Sequence, residues 1–248
     1  MVDLTLTQLR GPKDPDLVLM LGPSLGTGVV DLWQRCAALL PATWQVVGWD
    51  LPGHGASRPA TGTFTIDDLA ASVRERGAAL AAGRLLAYAG VSLGGAVGFT
   101  IAADPGPFGA VIALASAPKI GTPEAWHDRA AFVRKAGTSA MVEGSAARWF
   151  APGFLEAHPD FGGRLLMALR EIDDESYALA CEALADYDVG DRMMSVTTAL
   201  LIAGGAHDVV ITPDEVAVVL DNVAHLPPAE DPAGTADLIT TFLNQEFA

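Results

Sequence analysis

The chain has 248 residues, half of them apolar, enough to bury the core of one large α/β domain or two small ones, and the lack of low-complexity linkers favours one. With 15 basic and 30 acidic residues its net charge is −15, which argues against nucleic acid and anionic membrane surfaces as partners. The opening MVDLTLTQLRG lacks a basic segment leading into an apolar core, and no apolar run reaches about 18 residues, so a cytoplasmic protein is expected.

Residues 3 to 9 alternate apolar and polar, the pattern of a half-buried antiparallel strand, and 16 to 21 form a continuous apolar run suited to a buried parallel one. A glycine-rich loop, Gly22-Pro23-Ser24-Leu25-Gly26-Thr27-Gly28, then leads into a helix over about 30–40. Such a loop between strand and helix either cradles a phosphate or lines an oxyanion hole. A strand at 44–50 ends in the breaker-rich Leu51-Pro52-Gly53-His54-Gly55, and Thr65-Ile66-Asp67-Asp68 has the form of a capping box opening a helix to about 82.

The apolar segment after Arg84 runs into Gly90-Val91-Ser92-Leu93-Gly94-Gly95 and a small-residue helix. A nucleophilic serine at a strand-to-helix turn needs small residues two places before and after it, where the backbone doubles back. Gly90 and Gly94 meet that need. The turn also presents the Leu93 amide, at a helix N-terminus, to whatever Ser92 attacks. A further buried strand is expected at 110–115, and the alternation of strands and helices implies a parallel sheet covered on both faces.

From about 119 to 194 strand signals vanish and helical patterns recur near 126–135, 138–149, 163–170 and 175–184. This reads as a helical cap, 119–194, inserted into a core made of 1–118 and 195–248. The sheet resumes at 198–203, and 235–247 is a final amphipathic helix. Cys36 and Cys181 are isolated, forming neither a disulfide framework nor a metal cluster.

An activated serine needs a base, and the base an orienting carboxylate. Asp208 follows the strand at 198–203, and His225 lies further on, so nucleophile, acid and base occur in the chain order of the α/β-hydrolases. Of the other histidines, His207 and His54 read as loop structure, and His127 and His158 as solvated positions of the cap.

On these motifs, residues 16 to 58, 84 to 118 and 198 to 232 resemble the α/β-hydrolase superfamily. Pro23-Ser24-Leu25-Gly26-Thr27, Tyr88 to Ala96, Trp126 with Arg129, Arg148-Trp149-Phe150 and Cys181 to Ala185 resemble its 3-oxoadipate enol-lactonase branch. The resemblance implies an α/β-hydrolase fold with an inserted helical cap and a cofactor-free opening of an enol-lactone. Ser92 would attack, His225 would act as base, and the amides of Leu93 and Ser24 would hold the oxyanion. The partner it implies is a small anionic lactone, and the protein would be a monomer or small homo-oligomer. The substrate's carboxylate requires a cation in an acidic chain: Arg129 is the first candidate, with Arg148 second, and Trp126 and Leu25 are expected to contact the substrate.

The branch places a helix and a strand between the acid and the base, but 211–222 is barely long enough for one of them. Either a stub at 212–217 leads straight into a strand at 218–220, or the last strand is lost. A rival reading as a short-chain dehydrogenase rests on Gly22-x-x-x-Gly26-x-Gly28 and on Asp50 at the end of the next strand. It fails for want of a Tyr-x-x-x-Lys pair, since Tyr88, Tyr177 and Tyr187 precede Ser92, Cys181 and Asp191 at that spacing.

Overall fold

In a computed structural model that describes residues 2–248, the apolar runs become the centre of a seven-stranded sheet of order β1-β3-β2-β4-β5-β6-β7. Its strands are β1 (Thr5–Arg10), β2 (Leu17–Gly22), β3 (Trp44–Asp50), β4 (Leu85–Val91), β5 (Ala110–Leu114), β6 (Ala199–Gly205) and β7 (Val218–Leu220). Only β1 is antiparallel to its neighbour, and its residues are half-exposed, whereas β2 is buried throughout. That contrast follows from position: an edge strand shows one face to water, and a central parallel strand is covered by helices on both faces.

Helices α1 (Val29–Ala37), α2 (Ile66–Ala81) and α3 (Leu93–Ala103) alternate with the strands. The capping box forms in full: Thr65 Oγ1 accepts from the Asp68 amide and the Asp68 carboxylate accepts from the Thr65 amide. Between β5 and β6 lie α4 (Pro123–Ala136), α5 (Val142–Trp149), α6 (Phe154–Ala157), α7 (Pro159–Arg170), α8 (Asp174–Ala185) and α9 (Gly190–Met193). The short α6 and α9 were not anticipated, because four residues carry no readable helical period. None of the described helices is long and apolar enough to cross a membrane.

Helix α8 ties this helical segment to the sheet. The Ala60 amide donates to Ser176 Oγ at 2.9 Å, and the Asp173 amide donates to Gly53 O at 3.2 Å. It also packs along α4, where Arg134 bridges Glu175 and Glu182. These ion pairs lie at the surface and contribute little stability each, so their role is to fix the register of the two helices.

The short segment before residue 225 takes the first of the two forms considered above. A 3₁₀ turn at Pro213–Glu215, capped by Thr212, leads directly into the three-residue β7. The chain then returns against the end of β6 and continues into α10 (Pro227–Glu230) and α11 (Pro232–Glu246). A Cβ on Gly205 would lie 2.2 Å from the Val223 carbonyl oxygen and 2.3 Å from that of Ala224. Backbone atoms yield less readily than side chains, so Gly205→Ala should displace the loop carrying His225 at a cost of about 1–3 kcal/mol. Thermal melts should show a lowered Tm together with reduced activity; a melt at the wild-type temperature would mean that this loop is not packed on β6.

Candidate active site

Ser92 sits between β4 and α3 with φ 54° and ψ −112°, a left-handed conformation that a non-glycine residue adopts only under constraint. The constraints are visible. The Ser92 amide donates to Leu114 O at 2.8 Å, Ser116 Oγ donates to Ser92 O at 2.8 Å, and the Gly94 amide donates to Pro23 O at 2.9 Å. A Cβ on Gly90 would stand 2.2 Å from Gly94 O, and one on Gly94 would stand 2.6 Å from Pro23 O. Glycine is therefore required at both places by backbone-to-backbone approach.

At the ends of β6 and β7, Asp208 and His225 are both buried and meet through a 2.8 Å bond from His225 Nδ1 to Asp208 Oδ2. The other carboxylate oxygen accepts from the Val210 and Ile211 amides, so the aspartate is fixed in orientation. With Nδ1 engaged, Nε2 is the ring nitrogen free for proton transfer. Ser92 and His225 line one cavity of about 240 Å3, and no direct hydrogen bond joins them. Such contacts commonly tighten only when substrate is bound.

The glycine-rich loop corrects one expectation. The Ser24 amide is already used: it donates to Thr27 Oγ1 at 3.1 Å, while that hydroxyl donates back to Ser24 O at 2.9 Å. Among the described residues the amides of Leu25 and Leu93 donate to no protein acceptor, and Leu25 lines the cavity. The three-residue turn closed by Thr27 consumes the Ser24 N–H and leaves the Leu25 N–H as the loop amide without an acceptor among the described residues. Asp50 is likewise spoken for. Its buried carboxylate accepts from the Val29 and Ala56 amides, which leaves it no part in holding a ribose.

The far wall of the cavity comes from the inserted helices: Trp126 and Arg129 of α4, Arg148 and Trp149 of α5, and Tyr177 of α8. The Arg129 guanidinium carbon lies 4.7 Å from the Trp126 ring centroid, a cation–π contact. Neither Arg129 nor Arg148 forms an ion pair with a carboxylate among the described residues. Burial lowers the Arg148 pKa and the neighbouring Arg129 charge adds to that effect. His127, His158 and His207 are exposed and lie away from the cavity.

A family model described as the α/β hydrolase fold matches residues 20–139. The chain is 34% identical over 208 residues to 3-oxoadipate enol-lactonase 2 of Acinetobacter baylyi, covering 84% of this chain and 77% of that one. The chain belongs to the α/β-hydrolase family. The enol-lactonase structure from Burkholderia xenovorans LB400 superposes with a TM-score of 0.89 at 25% identity, over 97% of this chain and 96% of the other. A thermophilic esterase from Thermogutta terrifontis shares the fold, with a TM-score of 0.89 at 22% identity over 99% and 94% of the two chains.

Tyr177 and Ser145 are the polar residues of this hydrolase's cavity that sequence reasoning missed, and tyrosine was weighed only against a dehydrogenase pair. A tyrosine on an otherwise small and apolar helix was the available signal, because a buried phenol seeks a polar partner. Here burial pushes its pKa up to about 12, and the Arg129 and Arg148 charges act in the opposite sense. Its ring stacks on His54 with centroids 6.1 Å apart. His54 is fully buried, its Nδ1 bonded to Pro52 O at 2.9 Å and its Nε2 unpartnered.

Burial pushes the His54 pKa down from 6.5 to about 4. The unfolded chain therefore takes up this proton at higher pH than the folded chain does, and stability falls as pH drops from about 6.5 towards 4. The loss attributable to this one group is about 3 kcal/mol. Denaturant unfolding at a series of pH values should show a shallower acid fall for His54→Gln than for the wild type, and parallel curves would mean that His54 takes up its proton as readily in the folded chain as in the unfolded one.

Proposed function

We propose that this hydrolase opens 3-oxoadipate enol-lactone to 3-oxoadipate through an acyl-enzyme on Ser92. The observation that carries the reading is the shared cavity, in which Ser92 and His225 face two arginines that have no carboxylate partner. Two half-buried cations in one wall favour an anionic ligand, and a guanidinium binds a carboxylate through two parallel hydrogen bonds. A cavity of about 240 Å3 suits a small ring better than a drug-sized molecule. Similarity to the Acinetobacter enol-lactonase supports the same substrate class.

In this mechanism the arginines seat the substrate carboxylate and Trp126 walls the ring. Ser92 Oγ attacks the lactone carbonyl carbon as His225 Nε2 takes the hydroxyl proton, and Asp208 stabilises the imidazolium that forms. The oxyanion is received by the Leu25 and Leu93 amides, each such donor typically worth about 2.7–4 kcal/mol in the transition state. Collapse breaks the ring C–O bond. The leaving group is an enolate that takes a proton and tautomerises to the ketone, so it departs with little acid assistance. The enolate takes the imidazolium proton, which returns His225 to its neutral form; water, deprotonated by His225, then attacks the acyl carbon, and Ser92 Oγ leaves with the proton that His225 has just taken up.

Ser92→Ala should fold as the wild type does, because the demands of the turn fall on the glycines, while hydrolysis drops by orders of magnitude. Spectrophotometric assay of that variant decides the point; near-wild-type turnover would remove Ser92 from the mechanism.

Arg129→Met and Arg148→Met test the substrate class. Each deletes a charged hydrogen-bonding contact worth about 1.5–3 kcal/mol, a loss of roughly 10-fold to 150-fold in kcat/KM on the carboxylate-bearing lactone. Neutral p-nitrophenyl acetate, having no carboxylate, should be hydrolysed almost as before. Equal losses on both substrates would assign the arginines to the fold.

A further inference from the structure

We infer that Glu230 is a positioning residue for His225, gripping the loop that carries the base and the cavity wall at once through a single ionised carboxylate. One of its oxygens, Oε2, accepts from the amides of Ala224 at 2.9 Å and Leu226 at 3.3 Å, the two residues that flank His225. The other, Oε1, accepts from the Ala151 amide at 2.6 Å. A fourth bond runs from the His225 amide to Trp149 O at 3.2 Å. Ala151 lies two residues beyond Trp149, which lines the cavity.

All three partners of the Glu230 side chain are N–H donors, and this decides its chemistry. Only a carboxylate offers acceptor lone pairs at both ends. A protonated acid or an amide would turn a hydrogen towards one of the backbone N–H groups, releasing either the histidine loop or the wall. Burial raises the Glu230 pKa, while the three backbone donors and the nearby His225 act to lower it. The ionisable groups on the elements around it are Asp31, Arg35 and Cys36 of α1, Asp237 and Glu246 of α11, Asp231 at the α11 N-cap, Asp208, and Arg148 on the cavity side. None of these forms an ion pair with Glu230.

The two carboxylates near His225 thus divide the work. Asp208 orients the ring through Nδ1, whereas Glu230 holds the backbone on either side of it and adds a second negative charge that favours the imidazolium. The role rests on His225 being the base of the proposed reaction.

The experiment compares wild type with Glu230→Gln by ester and enol-lactone kinetics and by NMR titration of the His225 imidazole. The variant keeps the side chain's shape and should lose about 10- to 100-fold in kcat with KM within about twofold, as small misplacements of catalytic groups do. The His225 titration should move to lower pH once the neighbouring charge is removed. Unchanged kcat, or a lowered kcat with an unmoved His225 titration, overturns the proposal. If the variant does not fold, native-state hydrogen exchange of the wild type decides: the Ala151, Ala224 and Leu226 amides should open together, and unrelated protection overturns it. Should wild type hydrolyse neither substrate, the proposed function fails, while the titration and exchange still read the role of Glu230.

Discussion

Holding residue 92 at positive φ costs the backbone free energy that local contacts must offset, and most of the architecture near the sheet's centre serves that end. Gly90 and Gly94 allow the chain to double back within van der Waals reach of itself. The Tyr88 hydroxyl, buried beneath the turn, donates to Gly94 O at 2.8 Å, and the Gly94 amide reaches across to Pro23 O. The elbow and the glycine-rich loop are therefore one rigid unit. That unit fixes the position of the Leu25 amide in the loop relative to Ser92 and Leu93 at the elbow.

The opposite side of the cavity is held in a different way. Its groups ride on α4, α5 and α8, which dock on the sheet through a few backbone and hydroxyl bonds and through Glu230. This acidic protein places two arginines in that wall, and among the described residues neither forms an ion pair with a carboxylate. The charged side chains that line the cavity are thus cationic in a chain of net charge −15.

Much of this was legible in the chain because it is enforced over short distances. Gly-x-Ser-x-Gly between an apolar run and a small-residue helix specifies a turn, Thr65 to Asp68 specifies a helix start, and continuous apolar runs specify buried strands. The order Ser92, Asp208, His225 was likewise readable as a pattern. What escaped was decided by competition for partners. The Ser24 amide looked available until Thr27, three residues on, was seen to take it. The segment 211–222 looked too short for its task until a single 3₁₀ turn proved sufficient. Glu230 gave no pattern, since Ala151, the partner that ties it to the cavity wall, lies 79 residues away on an unrelated element.

By itself, then, the sequence determined the fold class, the strained serine turn and the family, all of which follow from local backbone sterics and from the period of apolar residues. Tertiary structure decided which amide is free, which carboxylate holds the imidazole ring and which its backbone, and which arginines share a cavity with the serine. Those outcomes depend on long-range pairing of donors with acceptors, and each N–H is assigned only when every group that could compete for it has been brought into place.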